Sequence, residues 1–427
     1  MSCLSWLSWC VFPDSCASIL TKQAPRGIPP AGRFALTAAL LSSFGQTFFL
    51  GLFGGQMRAD FGLTEAWLGS LYGLATLASG LLMFWLGSMA DHLSMKRAIG
   101  IAMLLLAAGA ALMGLAGQVW LLFVALFLVR LAGQGLTGHL AVVAAARYAH
   151  KRRGRAVAMA TYGFILGEAS FPMLVAFSLG WLDWQQLWLL VAVLIALVAI
   201  PVLWWLASSL HPVSEPVEPV NPQMPAMTRM RLFRHAGFMR VLAIVLVPPV
   251  MVTALFLHQG TLAEIRDWRL DQMARGFVAF AAAQALFAFA GGRLIDRFSA
   301  RALLRFHLLP LGFALLALAS APDPFGLWLF FAGLGMTAGV NGVICGAVWV
   351  ELFGTAKLGM IRGVYAALMV VSTAVGPVVL GLVFDWQVSL LAVAVVCLAY
   401  VLILPPLLVP GIHGFEPRQN GEKAPAD

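Results

Sequence analysis

The chain has 427 residues, of which 61% are apolar and only 11% charged. A soluble domain carries about 25% charged residues, so an ordinary globular core is excluded. The net charge of +9 sits mostly in short segments between long apolar runs, which reads as the positive-inside bias of a membrane protein rather than as nucleic-acid binding.

The predicted elements are membrane helices. The apolar runs reach the ~18 residues that a bilayer span requires, and their Gly-rich, Pro-interrupted character suits helices better than barrel strands, which would alternate apolar with polar residues. Residues 1–33 read as a cytoplasmic N-terminal tail. Their apolar stretch, Leu4 to Phe12, is short, with no basic residue before it and no small-residue cleavage site after it, unlike a secretory signal. Twelve spans follow at 34–55, 67–87, 98–116, 119–144, 157–180, 186–206, 239–259, 274–293, 302–320, 325–349, 362–384 and 388–409. The one long polar break, 207–238, carries five prolines and the basic run Arg229, Arg231 and Arg234, and is read as a cytoplasmic linker. Six-helix bundles then occupy 34–206 and 239–410, and 411–427 forms a cytoplasmic C-terminal tail. Of the 27 Lys and Arg residues, 22 fall in the two tails and the loops after even-numbered spans. Only Arg58, Arg266, Arg269 and Arg275 fall on the other side, and Arg130 lies within a span. This asymmetry places both termini in the cytoplasm.

The two halves are internally related. Gly87 and Asp91 after the second span are matched by Gly292 and Asp296 after the eighth. Arg153-Gly154 with Gly167 is matched by Arg362-Gly363 with Gly376, and Asp183-Trp184-Gln185 by Asp385-Trp386-Gln387. Three pairs in order, at nearly equal offsets, point to duplication.

The segments Gly87-Ser-Met-Ala-Asp91 and Gly292-Arg-Leu-Ile-Asp296 resemble the two loop signatures of the major facilitator superfamily, as does the basic loop Arg147 to Ala156. The first copy has His92 and Ser94 where Arg and Gly are usual. Phe44 to Phe49, Tyr72 to Ser79, Arg130-Leu-Ala-Gly-Gln-Gly135 and His258-Gln259 are similar to a bacterial branch broadly like monocarboxylate and oxalate–formate carriers. The resemblance implies an all-α integral membrane fold with two pseudo-symmetric six-helix halves. It also implies a secondary transporter of the bacterial inner membrane, working by alternating access, with the two aspartates gating the cytoplasmic side against Arg153 and Arg362.

Arg130 and Glu168 are charges near the middle of the fourth and fifth spans, and intramembrane charges are functional suspects. Adjacent antiparallel helices put them at similar depth, so a mutual pair is expected, serving a substrate anion or a transported proton. Gln46, Tyr72, Gln134, His258, Gln259 and Asn341 are further polar side chains able to reach a cavity, with Gln46 and His258 favoured because they lie on the first helix of each half. No cofactor is implied. The expected partners are a small-molecule solute, protons and the lipid bilayer, with a single chain as the working unit. An organic anion moved with proton coupling or by exchange is the leading reading, a proton-driven drug or metabolite exporter the alternative, and a transport-inactive receptor the third. No nucleophile elbow, metal spacing or nucleotide-phosphate motif stands in a plausible context, which argues against an enzyme and against direct ATP drive.

Overall fold

The computed structural model describes residues 28–149, 153–210, 229–354 and 358–412. Residues 1–27 of the expected N-terminal tail, most of the linker and the C-terminal tail from 413 lie outside the described residues. Ten helices are long and apolar enough to cross a membrane: α2 (Glu65–His92), α3 (Met95–Gly114), α4 (Val119–Arg147), α5 (Gly154–Ser178), α6 (Trp184–Ser208), α7 (Ala236–Leu257), α8 (Leu270–Phe298), α10 (Phe325–Phe353), α11 (Leu358–Asp385) and α12 (Leu390–Gly411). A bent pair, Pro30–Gly45 and Thr47–Phe61, supplies α1, and the shorter Leu309–Ser320 supplies α9. The chain is thus a multi-pass membrane protein with the expected twelve helices.

Local sequence explains the boundaries. Thr64, Ser94 and Ser389 each cap a helix by accepting the backbone N–H three residues on. The expected ninth span at 302–320 is corrected to a short helix Ala300–Leu303, a turn, and α9 from Leu309. Pro310 stands at the start of α9, where its missing N–H costs nothing but where it could not extend a helix inward from 302. The first helix begins at Pro30 rather than 34, again on a proline.

Helix packing repeats between halves. In the first half α1 packs on α5, α2 on α4, and α3 on α4 and α6. In the second, α7 packs on α11, α8 on α10, and α9 on α10 and α12. The halves meet along two seams, α2 against α11 and α5 against α8. The α2–α11 seam is close because Gly69 faces the Pro377 carbonyl. A Cβ there would fall 2.5 Å from that oxygen. Gly69→Leu should therefore force the seam apart at this end and impair uptake while the protein still inserts; unchanged transport rates for this variant would show that the seam is not needed in the cycle.

The helix ends carrying Lys96, Arg97, Arg147, Arg301 and Arg305 form one basic end of the bundle. Hydrogen bonds that join the two halves, among the described residues, all lie toward the opposite end. The structure is therefore closed at the end away from the basic loops.

Candidate functional site

Arg130 is the buried cation of the first half, only 3% exposed. It opens a π-helical stretch, Arg130–Thr137, in which Gly133 and Gly135 weaken the regular helix. Opposite it, α1 breaks. Ser43–Gly45 tightens to a 3-10 turn, Gln46 is extended with φ −82° and ψ 151°, and the two parts of the helix meet at 42°. The break and the π stretch fit together through Gly45 and Gly133, since a Cβ on Gly45 would lie 2.4 Å from the Val129 carbonyl oxygen and 2.7 Å from the Gly133 Cα. The Gly45 carbonyl accepts a hydrogen bond from Arg130 Nη1 at 3.0 Å, and Thr76 Oγ1 accepts one from Nε at 3.1 Å. The guanidinium stands 4.8 Å from the centre of the Tyr72 ring, within cation–π range. The Tyr72 hydroxyl is 2.5 Å from Thr47 Oγ1. One helix break, one π stretch and two residues a turn apart on α2 thus hold a single guanidinium. It has no carboxylate partner among the described residues.

The expected Arg130–Glu168 pair is corrected. Glu168 Oε2 is buried without a hydrogen-bond partner, and Arg130 bonds instead to α1 and α2. The reason is the placement of α1 between them. Gly45 faces α4 while Ser43, two residues or about 240° earlier in the 3-10 turn, packs on Gly167 of α5. Gln134 also has a buried, unpartnered Oε1, and Gln46 is half-buried at the break.

His258 and Gln259 do not join Arg130. They belong to a polar clasp between the halves at the closed end. His258 Nδ1 is 2.7 Å from Glu65 Oε2 and its Nε2 is 2.9 Å from the Pro377 carbonyl. Glu65 Oε1 receives Arg58 at 2.9 Å and the Thr261 hydroxyl. Arg58 also reaches Thr261 at 3.2 Å and Glu264 at 3.4 Å. Asp385 caps α2, accepting from the N–H groups of Glu65 and Ala66 at 3.0 Å each. Gln259 donates to the Phe48 carbonyl and lines an outer cavity of about 370 Å³ with Gln56 and Glu264. Arg58, Glu65, Thr261 and Asp385 escape sequence reading, although the repeated Asp-Trp-Gln had marked Asp385. Asn341 belongs to a third group within the second half: its Oδ1 faces Cys345 Sγ at 3.7 Å, and the Tyr365 hydroxyl donates to that sulfur at 3.2 Å. A separate apolar cavity of about 700 Å³ on α7, α11 and α12 holds none of these groups.

At the basic end, Asp91 pairs with Arg147 at 3.3 Å, and Arg147 also donates to the Ala90 carbonyl. His139 reaches the Gly87 carbonyl at 3.0 Å. The side chain of Arg153 lies outside the described residues. In the second half the expected contact is corrected: Arg362 donates to the Gly346 carbonyl, Asp296 is exposed and makes no ion pair among the described residues, and Glu351 instead accepts the Arg301 N–H at the start of Ala300–Leu303. Asp91→Asn should slow transport more than Asp296→Asn, with little effect of either on stability, since an exposed pair contributes about 0–1 kcal/mol. Equal transport rates for the two variants would show that the Arg147 contact does not matter.

The model of the Major Facilitator Superfamily matches residues 35–276 and 250–426. No curated protein sequence matches the chain. Among solved structures, a bacterial homolog of the human lysosomal transporter Spinster, in an inward-facing and unoccupied conformation, has a TM-score of 0.68 at 15% identity, covering 90% of this chain and 95% of that one. The nucleoside transporter NupG also has a TM-score of 0.68 at 15% identity, over 89% of this chain and 98% of its own. At such identity the likeness concerns the fold alone.

Proposed function

The chain belongs to the Major Facilitator Superfamily, and on that footing we propose that it carries a small organic anion across the bacterial inner membrane, binding it at Arg130, with the basic end and both termini in the cytoplasm. It is a transporter and not an enzyme. The single observation that carries the anion reading is the guanidinium itself. An isolated charge at mid-bilayer depth costs at least about 2.5–3.5 kcal/mol even on insertion scales, and such charges are normally paired. Arg130 has neutral partners only: one carbonyl, one hydroxyl and one ring face. Two of its hydrogen-bonding nitrogens are held, which fixes the plane of the fork, while Nη2 has no partner among the described residues. A carboxylate arriving from the basic end would supply the missing negative charge and accept from that edge. Gln134, with its unpartnered amide oxygen, and Gln46 at the helix break are placed to contact the rest of such a solute.

The closed far end and, among the described residues, the absence of bonds between the halves at the basic end support a cytoplasm-open state within an alternating-access cycle. The site is built from one chain, so a monomer suffices. The test is uptake into proteoliposomes, with monocarboxylates, dicarboxylates and uncharged nucleosides compared at equal concentration. Saturable uptake of at least one carboxylate class is expected. Saturable uptake confined to uncharged solutes would overturn the proposal.

A further inference from the structure

The clasp between the halves holds an imidazole with an acceptor at each ring nitrogen. Both ring nitrogens of His258 face acceptors: the Glu65 carboxylate at 2.7 Å and the Pro377 carbonyl at 2.9 Å. A neutral imidazole has one N–H, so beside an ionised Glu65 one of these contacts would set lone pair against lone pair, and only the imidazolium donates to both. Water cannot relieve the conflict, because the His258 side chain is 0% exposed and that of Glu65 only 7%. The Pro377 carbonyl lies in the α2–α11 seam facing Gly69, where an added Cβ would fall 2.5 Å from its oxygen.

The charges around the ring agree with a cation there. Glu65 receives the Arg58 guanidinium and the Thr261 hydroxyl at Oε1, as an ionised carboxylate would. Arg58 on α1 is shared with the exposed Glu264 on the Gln259–Arg266 helix. Asp385 on α11 is engaged by the N-terminus of α2, where a negative charge is favoured. The Phe384 ring covers His258 edge-on at 5.7 Å between centroids and carries no charge. Arg58 and His258 thus balance Glu65 and Glu264.

The two partners of this imidazole come from different halves. Pro377 shares the second half with His258, and Glu65 lies in the first. Parting the halves at the far end would separate His258 from Glu65 and let water reach it. We propose that His258 is a proton-binding site of the transport cycle, occupied when the far, periplasmic end closes and surrendered when it opens, so that periplasmic acidity drives the carrier toward its cytoplasm-open state. This rests on the alternating-access reading above but not on the identity of the solute. Clasp and solute site are separate: Glu65 lies seven residues from Tyr72 on α2, about 10 Å along the helix.

The test needs no solute. Nitroxide labels at Ala59, exposed on α1 of the first half, and Ile265, exposed on the Gln259–Arg266 helix of the second, are introduced into the cysteine-free full-length protein in nanodiscs, and their separation is measured between pH 5.5 and 8.5. The short-distance population should dominate at acid pH. As the pH rises the closed-to-open ratio should fall by up to tenfold per pH unit, the slope of one linked proton. His258→Gln should abolish that slope, and Glu65→Gln should move the midpoint to lower pH. A pH-independent distance in the otherwise wild-type protein would overturn the proposal whatever the variants do. So would a slope that survives His258→Gln or a midpoint untouched by Glu65→Gln. Failure of anion uptake with the slope intact would instead count against the solute assignment alone.

Discussion

Arg130→Ala should abolish high-affinity binding of the proposed organic anion. Removing one member of a buried charge pair typically costs 2–5 kcal/mol, and a loss near the lower end, about 2.7 kcal/mol, is a 100-fold weaker Kd. The accompanying signature is thermal. Without solute, the variant loses a desolvated charge along with its two hydrogen bonds, so its melting temperature should stay close to that of the parent. The stabilisation given by saturating anion should vanish. Arg130→Lys keeps the charge but not the planar fork anchored by Gly45 and Thr76, and should fall between the two, weaker than the parent by about tenfold. Calorimetric titration and melting curves of the three proteins decide the matter. A large fall in solute-free stability combined with unchanged affinity would reduce Arg130 to a packing device.

The second large effect is expected at Gly45. Even alanine there would place a Cβ 2.4 Å from the Val129 carbonyl and 2.7 Å from the Gly133 Cα, so backbone, not a flexible side-chain end, must yield. Overpacking of this kind costs about 1–3 kcal/mol in well-packed interiors. Its structural consequence would be wider separation of α1 from α4, which pulls the Gly45 carbonyl off Arg130 Nη1. Gly45→Ala should lower thermal stability and anion affinity together, and Gly133→Ala, acting on the other face of the same contact, should reproduce both losses. Their combination should cost less than the sum, because either change alone already parts the helices. Normal affinity in either variant, measured on folded protein, would show that the broken-helix seat does not position the guanidinium.

The membrane helices were legible because a bilayer demands continuous apolar length, and the two halves because Gly87 and Asp91 recur as Gly292 and Asp296. Arg130 was legible for the same reason, as a charge where none is cheap. Its partners were not. A carbonyl released by a helix break leaves no mark in side-chain chemistry, and Gly45 reads as any other glycine until Gly133 is seen against it. Thr76 was within reach, one turn from Tyr72 on a helix whose period is known. Glu168 misled because equal depth on neighbouring helices fixes height but not azimuth, and α1 intervenes. Glu65 was hidden by a boundary: a second span begun at 67 leaves it outside the helix, whereas the helix starts on it and turns it toward His258. The short ninth helix was signalled by Pro310, which an apolar count alone overlooks.

The concentration of bonds between the halves at one end has a consequence for affinity as the cell experiences it. A solute approaching from the sealed side can bind only the fraction of carriers that have let go of the clasp, so its apparent dissociation constant is the intrinsic one divided by that fraction. Were one carrier in a hundred open to that side, the solute would need about a hundredfold higher concentration there than at the exposed side for equal occupancy. Strengthening or loosening the contacts of Glu65 and Asp385 would then retune sidedness without altering any group that touches the solute.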